Sequence, residues 1–93
     1  MTIQEIAKAN YEATKKRGLI TDQTTVKDFT NKLNEELYEL ICSIKRSPTN
    51  GTTFDEVELG DIALVCFAMA EHFKIDLVEV MELKTKFNQK RKD

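Results

Sequence analysis

The sequence predicts an all-α protein: a bundle of about four helices per chain, with its core completed by homo-oligomerisation. Three observations predict this. Apolar residues recur at intervals of three and four over long stretches, and no segment alternates with the period of two that marks a strand. Capping-box spacings stand at the starts of the periodic stretches. Finally, Ile62 to Ala70 (IALVCFAMA) is nine uncharged residues in a row. On a helix, Ile62, Val65, Cys66, Met69 and Phe73 form one stripe, which Leu59 joins, while Ala63, Leu64, Phe67 and Ala70 fill the other side. A helix that is apolar nearly all round is a buried one. Ninety-three residues supply too few other helices to cover it. A homo-oligomer is therefore expected, most simply a two-fold dimer, with a tetramer as the alternative.

The elements follow in order. Thr2 and Glu5 open a first helix with capping-box spacing. It runs from about Ile3 to Arg17 on a weak face of Ile3, Ile6, Ala7, Asn10, Ala13 and Thr14. Lys15, Lys16 and Arg17 suit the negative end of the helix dipole, and Gly18 is placed for the residue beyond the cap. Thr25 and Asp28 cap a second helix, about Val26 to Arg46, with the stripe Val26, Phe29, Leu33, Leu37, Leu40, Ile41 and Ile44. Ser47 to Thr53 holds Pro48 and Asn50-Gly51 and reads as a loop. Thr53 with Glu56 has cap spacing for the third helix, about Phe54 to Phe73. Lys74 and Ile75 turn the chain. Asp76 and Glu79 start the last helix, which reaches about Lys90. Its apolar positions are Leu77, Val80, Met81 and Phe87, and the same sector holds Lys84, Asn88 and Arg91. The last five residues, QKRKD, are a charged tail expected to fray.

Composition bounds the function. Charged residues are 32% and hydrophobic ones 41%, which suits one folded domain over residues 1–93. A net charge of −2 offers no bulk electrostatic footprint for nucleic acid. Cys42 and Cys66 have neither C-x-x-C spacing nor a nearby His, so neither a disulfide scaffold nor a zinc site is expected. Both are expected as buried free thiols in a reducing cytoplasm. The start MTIQEIAKAN lacks the basic and apolar regions of a signal peptide. The apolar run is about half the ~18 residues a membrane span needs. No membrane and no nucleic-acid partner are expected, and the localisation expected is cytoplasmic.

Two acidic pairs carry the chemistry. Glu36-Leu37-Tyr38-Glu39 is ExxE, preceded by Glu35, and Glu58-Leu59-Gly60-Asp61 is ExxD. Residues three apart share a helix face, so each pair can grip one ion. Eighteen residues separate Glu39 from Glu58, and an antiparallel hairpin can set the pairs opposite each other. Four converging carboxylates repel unless cations neutralise them, and oxygen-only ligands favour Mg²⁺ or Mn²⁺ over zinc or copper. The Glu-x-x-His of bundle di-iron sites is absent; His72 reads as a partly exposed residue. A plainer reading stays open beside this one. Acids in the first turn of a helix gain from its dipole, so Glu58 and Asp61 could belong to capping alone.

Lys32-Leu33-Asn34-Glu35-Glu36-Leu37-Tyr38-Glu39-Leu40, followed by Glu58-Leu59-Gly60-Asp61-Ile62-Ala63-Leu64, resembles the MazG-like all-α nucleoside triphosphate pyrophosphohydrolases. Their pattern is EExxE, a spacer, then ExxD, with a Lys and an Asn four apart and a further basic residue on the last helix. Lys84, Asn88 and Arg91 fit that, so the resemblance spans about residues 26–91. It implies Mg²⁺-dependent cleavage of an NTP or dNTP to the monophosphate and pyrophosphate. It implies metal ligation by Glu36, Glu39, Glu58 and Asp61, with Glu35 orienting or activating water beside Glu36 and Glu39. It implies contacts from Lys84, Asn88 and Arg91 to phosphate or sugar, in the same or the partner subunit. Lys32 could also face phosphate, and Phe29 or Tyr38 could stack on a base. The chain has no Trp, so the wall some members use to recognise the base is missing or built otherwise. A phosphoribosyl-ATP pyrophosphohydrolase is the alternative within the same chemistry. A catalytically silent helical dimer is the alternative outside it.

Overall fold

The computed structural model describes residues 1–92. The expected fraying of the tail's last residue, Asp93, lies outside the described residues. Four helices and one small hairpin follow in the order α1 (Ile3–Lys16), α2 (Val26–Ser43), β1 (Lys45–Ser47), β2 (Gly51–Thr53), α3 (Glu56–His72) and α4 (Leu77–Lys90). Two capping boxes form as the sequence predicts, at Thr2 with Glu5 and at Thr25 with Asp28. Gly18 follows the α1 C-cap with φ 79°, a left-handed conformation that costs glycine little.

Four expectations are corrected here. The second helix stops at Ser43 rather than Arg46, because Ile44 turns extended and leads into an antiparallel pair joining Lys45 to Thr53 and Ser47 to Gly51. The segment read as a plain loop is thus the tip and second strand of a hairpin, turned by Gly51 at φ 72°. Strands of three residues are too short to show an alternating pattern. The third helix starts at Glu56, and its cap is Asp55, whose Oδ1 accepts from the Val57 amide at 3.0 Å; Thr53 lies in β2 instead. The thiols of Cys42 and Cys66 are free but exposed. Both lie on helix faces that a single chain leaves uncovered.

The helices pack around α3. α2 runs along it, and α1 packs on it as well. The buried centre is Ile20, Phe29 and Ala68, with Tyr11 and Met69 against it. His72, at the last turn of α3, is more firmly held than a partly exposed residue need be. Its Nε2 lies 3.0 Å from the Thr24 carbonyl, and its Nδ1 lies 2.9 Å from the Tyr11 hydroxyl. A carbonyl only accepts, so Nε2 carries the proton and Nδ1 accepts from Tyr11. The rings of Phe29 and Phe73 pack against the imidazole. One side chain therefore joins α1, the α1–α2 connection and α3.

The expected burial of α3 is only half achieved in one chain. Ala68 and Ala70 are buried, but Leu59, Ala63 and Cys66 are exposed and Val57 is 66% exposed. On α2, Leu37 and Ile41 also face outward. α4 buries no residue, and Val80, Met81, Leu83 and Phe87 are all exposed. The radius of gyration is 16.0 Å, against roughly 12 Å for a compact chain of this length.

At the far end, Ser43 closes the α2–α3 hairpin. Its hydroxyl donates to the Leu40 carbonyl at 2.6 Å and accepts from the Asp55 amide at 3.1 Å. The last turn of α2 is thereby tied to the first of α3. Ser43→Ala removes both bonds. It should destabilise the fold by about 1 kcal/mol and lower Tm by roughly 4–8 °C, read by thermal denaturation followed by circular dichroism.

Candidate metal centre

α2 and α3 are antiparallel neighbours, so residues near the end of one face residues near the start of the other. Glu36 and Glu39 occupy one face of α2, one turn apart. Glu58 and Asp61 occupy the first turns of α3. Each of the four offers a carboxylate oxygen, and these oxygens lie within 4.8 Å of one another. The structure thus brings together the four acids that the sequence singled out, from two i, i+3 pairs on facing helices.

Burial grades across the cluster. Glu36 is 7% exposed, Glu58 and Asp61 are half-buried, and Glu39 is exposed. Lys32 reaches Glu36 Oε1 at 3.1 Å and Glu35 at 3.6 Å. That hydrogen bond to Glu36, with the charges of both acids, holds the Lys32 ammonium above its ordinary pKa. Glu36 Oε2 and Glu58 Oε2 are buried with no hydrogen-bond partner among the described residues. A buried polar atom without a partner costs about 1–3 kcal/mol. Two such atoms in one cluster mark a place where the protein alone leaves its polar groups unsatisfied.

Capping does not account for Glu58. It stands at the third helical position, where a capping-box carboxylate would accept from the cap residue's amide. The Asp55 amide donates to Ser43 instead, and the amides near the helix start bond elsewhere, Val57 to the Asp55 carboxylate and Glu58 to the Asp55 carbonyl. The helix dipole still favours the charge, but the Glu58 carboxylate performs no cap.

Repulsion within the cluster is visible at Glu39. Its carboxyl is held above its ordinary pKa, chiefly by the neighbouring Glu36 carboxylate, with loss of water and Glu58 adding to it. A donor set of four oxygens, crowded, negatively charged and partly orphaned, fits a hard divalent cation such as Mg²⁺ or Mn²⁺.

No known protein family, curated protein or solved structure matches this chain. The site's own geometry therefore carries the functional reading.

A cavity of about 470 Å³ opens beside the cluster, between α1, α2, α3 and the α1–α2 connection. That is the size range of small-molecule sites. The cavity meets the acids at Glu36 and Asp61, and Glu35 and Lys32 also line it. Glu35 is exposed and lies outside the four-carboxylate set. Phe29 is buried in the core and gives the cavity part of its apolar wall. Tyr38 is exposed and does not line it. Lys84, Asn88 and Arg91 are not brought there within one chain. Lys84 and Asn88 lie on an exposed stretch of α4 and Arg91 is its C-cap; Lys84 Nζ and the Arg91 guanidinium stand 4.6 and 5.9 Å from the centre of the Phe87 ring.

The sequence reading missed the α1 part of the lining, formed by Asn10, Thr14 and Arg17 of α1 and its C-cap with Thr24 of the connection. A signal for it was present: Asn10 and Thr14 are polar residues on the face that α1 turns inward.

The shift at Glu39 has a sign that can be tested. A carboxyl whose pKa is raised by folding contributes stability below its unfolded value, and loses it as pH rises through the folded value. In metal-free protein, Glu39→Gln should therefore have a higher Tm than wild type at pH 7. The difference should shrink as pH falls to 4, as read by calorimetry in the presence of a chelator.

Proposed function

We propose that the chain is a Mg²⁺-dependent nucleotide pyrophosphohydrolase, cleaving an NTP or dNTP to the monophosphate and pyrophosphate. The observation that carries this reading is the convergence of Glu36, Glu39, Glu58 and Asp61 within 4.8 Å, with Glu36 Oε2 and Glu58 Oε2 buried and unpartnered. The ordered EExxE and ExxD motifs, and their resemblance to the MazG-like enzymes, support the same chemistry.

In this reading the four acids hold Mg²⁺, with Mn²⁺ as a substitute. Glu36 uses the oxygen that Lys32 leaves unpaired. A bound divalent ion supplies charge neutralisation at phosphate oxygens and makes water a better nucleophile. The chain's own groups do the rest. Glu35 orients the attacking water and accepts its proton. Lys32 holds Glu36 in place through its 3.1 Å contact. The cavity encloses the nucleotide and positions its α-phosphate, since phosphoryl transfer depends chiefly on positioning and electrostatics.

The uncovered faces of α2, α3 and α4 support a homo-oligomer, a dimer in the simplest case. A second copy would bury the exposed apolar residues and bring a second α4, with its Lys84, Asn88 and Arg91, near the site. Light scattering at micromolar concentration should give twice the chain mass or more. A monomeric mass would contradict this assembly.

Activity is tested by pyrophosphate release from each NTP and dNTP with Mg²⁺. Wild type should turn over at least one of them, and Glu39→Gln and Asp61→Asn should each lose about 100-fold or more. Equal turnover in all three proteins would remove the four-carboxylate mechanism. Turnover of phosphoribosyl-ATP alone would assign the same chemistry to that substrate. No turnover of any of these would favour a silent helical oligomer.

A further inference from the structure

The cavity's charges are mostly committed. Asp28 is engaged in the Thr25 cap, at 2.8 Å from its amide. Lys32 is engaged by Glu36 and Glu35. Arg17 also lines the cavity, on the α1 side, and makes no ion pair among the described residues. Its backbone is fixed: it is the α1 C-cap, donating to the Ala13 carbonyl, and Gly18 at φ 79° turns the chain immediately after it. The two lysines before it differ. Lys15 stands 5.8 Å from the centre of the Tyr11 ring, and neither Lys15 nor Lys16 lines the cavity.

Charge arithmetic gives this position meaning. The four carboxylates, Glu35 and Lys32 together carry four net negative charges. One divalent ion leaves two and two ions leave none, so metal must offset the acids before a polyanion is accepted. With Glu36 and Asp61 committed to metal, such an anion still needs a cationic donor from the rest of the lining. Arginine suits that task, being permanently charged and able to bind phosphate in a bidentate fork.

We propose that Arg17 is a substrate-binding residue that grips the distal phosphates of the nucleotide in the cavity that the acid cluster adjoins. This rests on the pyrophosphohydrolase reading above. It adds a residue that the EExxE, ExxD and last-helix pattern does not contain, and it explains why α1 belongs to the site rather than to the scaffold alone.

The test uses full-length protein with Mg²⁺ and a non-hydrolysable α,β-imido nucleoside triphosphate, with affinity measured by calorimetry alongside steady-state kinetics. Arg17→Gln should weaken analogue binding and raise KM by about 10-fold or more, while monophosphate binding stays as in wild type. Arg17→Lys should recover part of the loss. Lys16→Gln, with the same charge change one residue away, should behave as wild type. Matching unfolding temperatures show that each variant is folded. Wild-type affinity in Arg17→Gln, or an equal loss in Lys16→Gln, would overturn the role of Arg17 and leave the pyrophosphohydrolase reading standing. Wild type that binds no analogue in Mg²⁺ would overturn that reading, and this inference with it.

Discussion

Everything in this chain turns on four carboxylates held together by two antiparallel helices. Left in water, such groups would move apart. Here the packing of α2 along α3 sets their positions, and the tie from Ser43 to Asp55 closes the hairpin beside them. Lys32 compensates one oxygen of one acid. Among the described residues Glu58 and Asp61 have no basic partner, and two buried oxygens have no partner at all. Folding energy is being spent to hold like charges close, as expected where a cation completes the site.

The incomplete core belongs to the same picture. α3 must be apolar to keep its first turns rigid against α2, yet one chain has too little surface to enclose it. Phe29, Ile20 and Ala68 make a small centre on the cavity side. The opposite faces, and α4 beyond Val78, remain open. His72 stabilises the other end of α3 through Tyr11 and Thr24, so the connection that walls the cavity is held by a hydrogen-bonded side chain. The acids and the cavity wall are thus fixed at opposite ends of one helix.

Much of this was legible in the sequence. Helical spacing located all four helices, and the caps at Thr2, Thr25 and Asp76 located three of their starts, because periodicity and capping depend on local physics. The i, i+3 pairing placed Glu36 with Glu39 and Glu58 with Asp61, and the short span between them set the pairs face to face. The hairpin at Lys45–Thr53 was not legible, since three-residue strands carry almost no pattern. The cap moved from Thr53 to Asp55 because the chain was still extended at Thr53. The α1 wall of the cavity was missed for a different reason. Asn10, Thr14 and Arg17 are far in sequence from the acids, and tertiary packing alone unites them. The last-helix residues Lys84 and Asn88, and Arg91 at the α4 C-cap, do not line the cavity in a single chain.

The central claim is that the cluster is built for a divalent cation, and direct metal binding tests it apart from any substrate. Mn²⁺ titrated into chelator-treated protein can be followed by the loss of the free-ion electron paramagnetic resonance signal. Saturable binding of at least one ion per chain is predicted, displaced by Mg²⁺ and weakened about 10-fold or more by Asp61→Asn. If wild type leaves the Mn²⁺ signal unchanged at millimolar concentration, or binds no better than Asp61→Asn, the acids of α2 and α3 are not a metal centre.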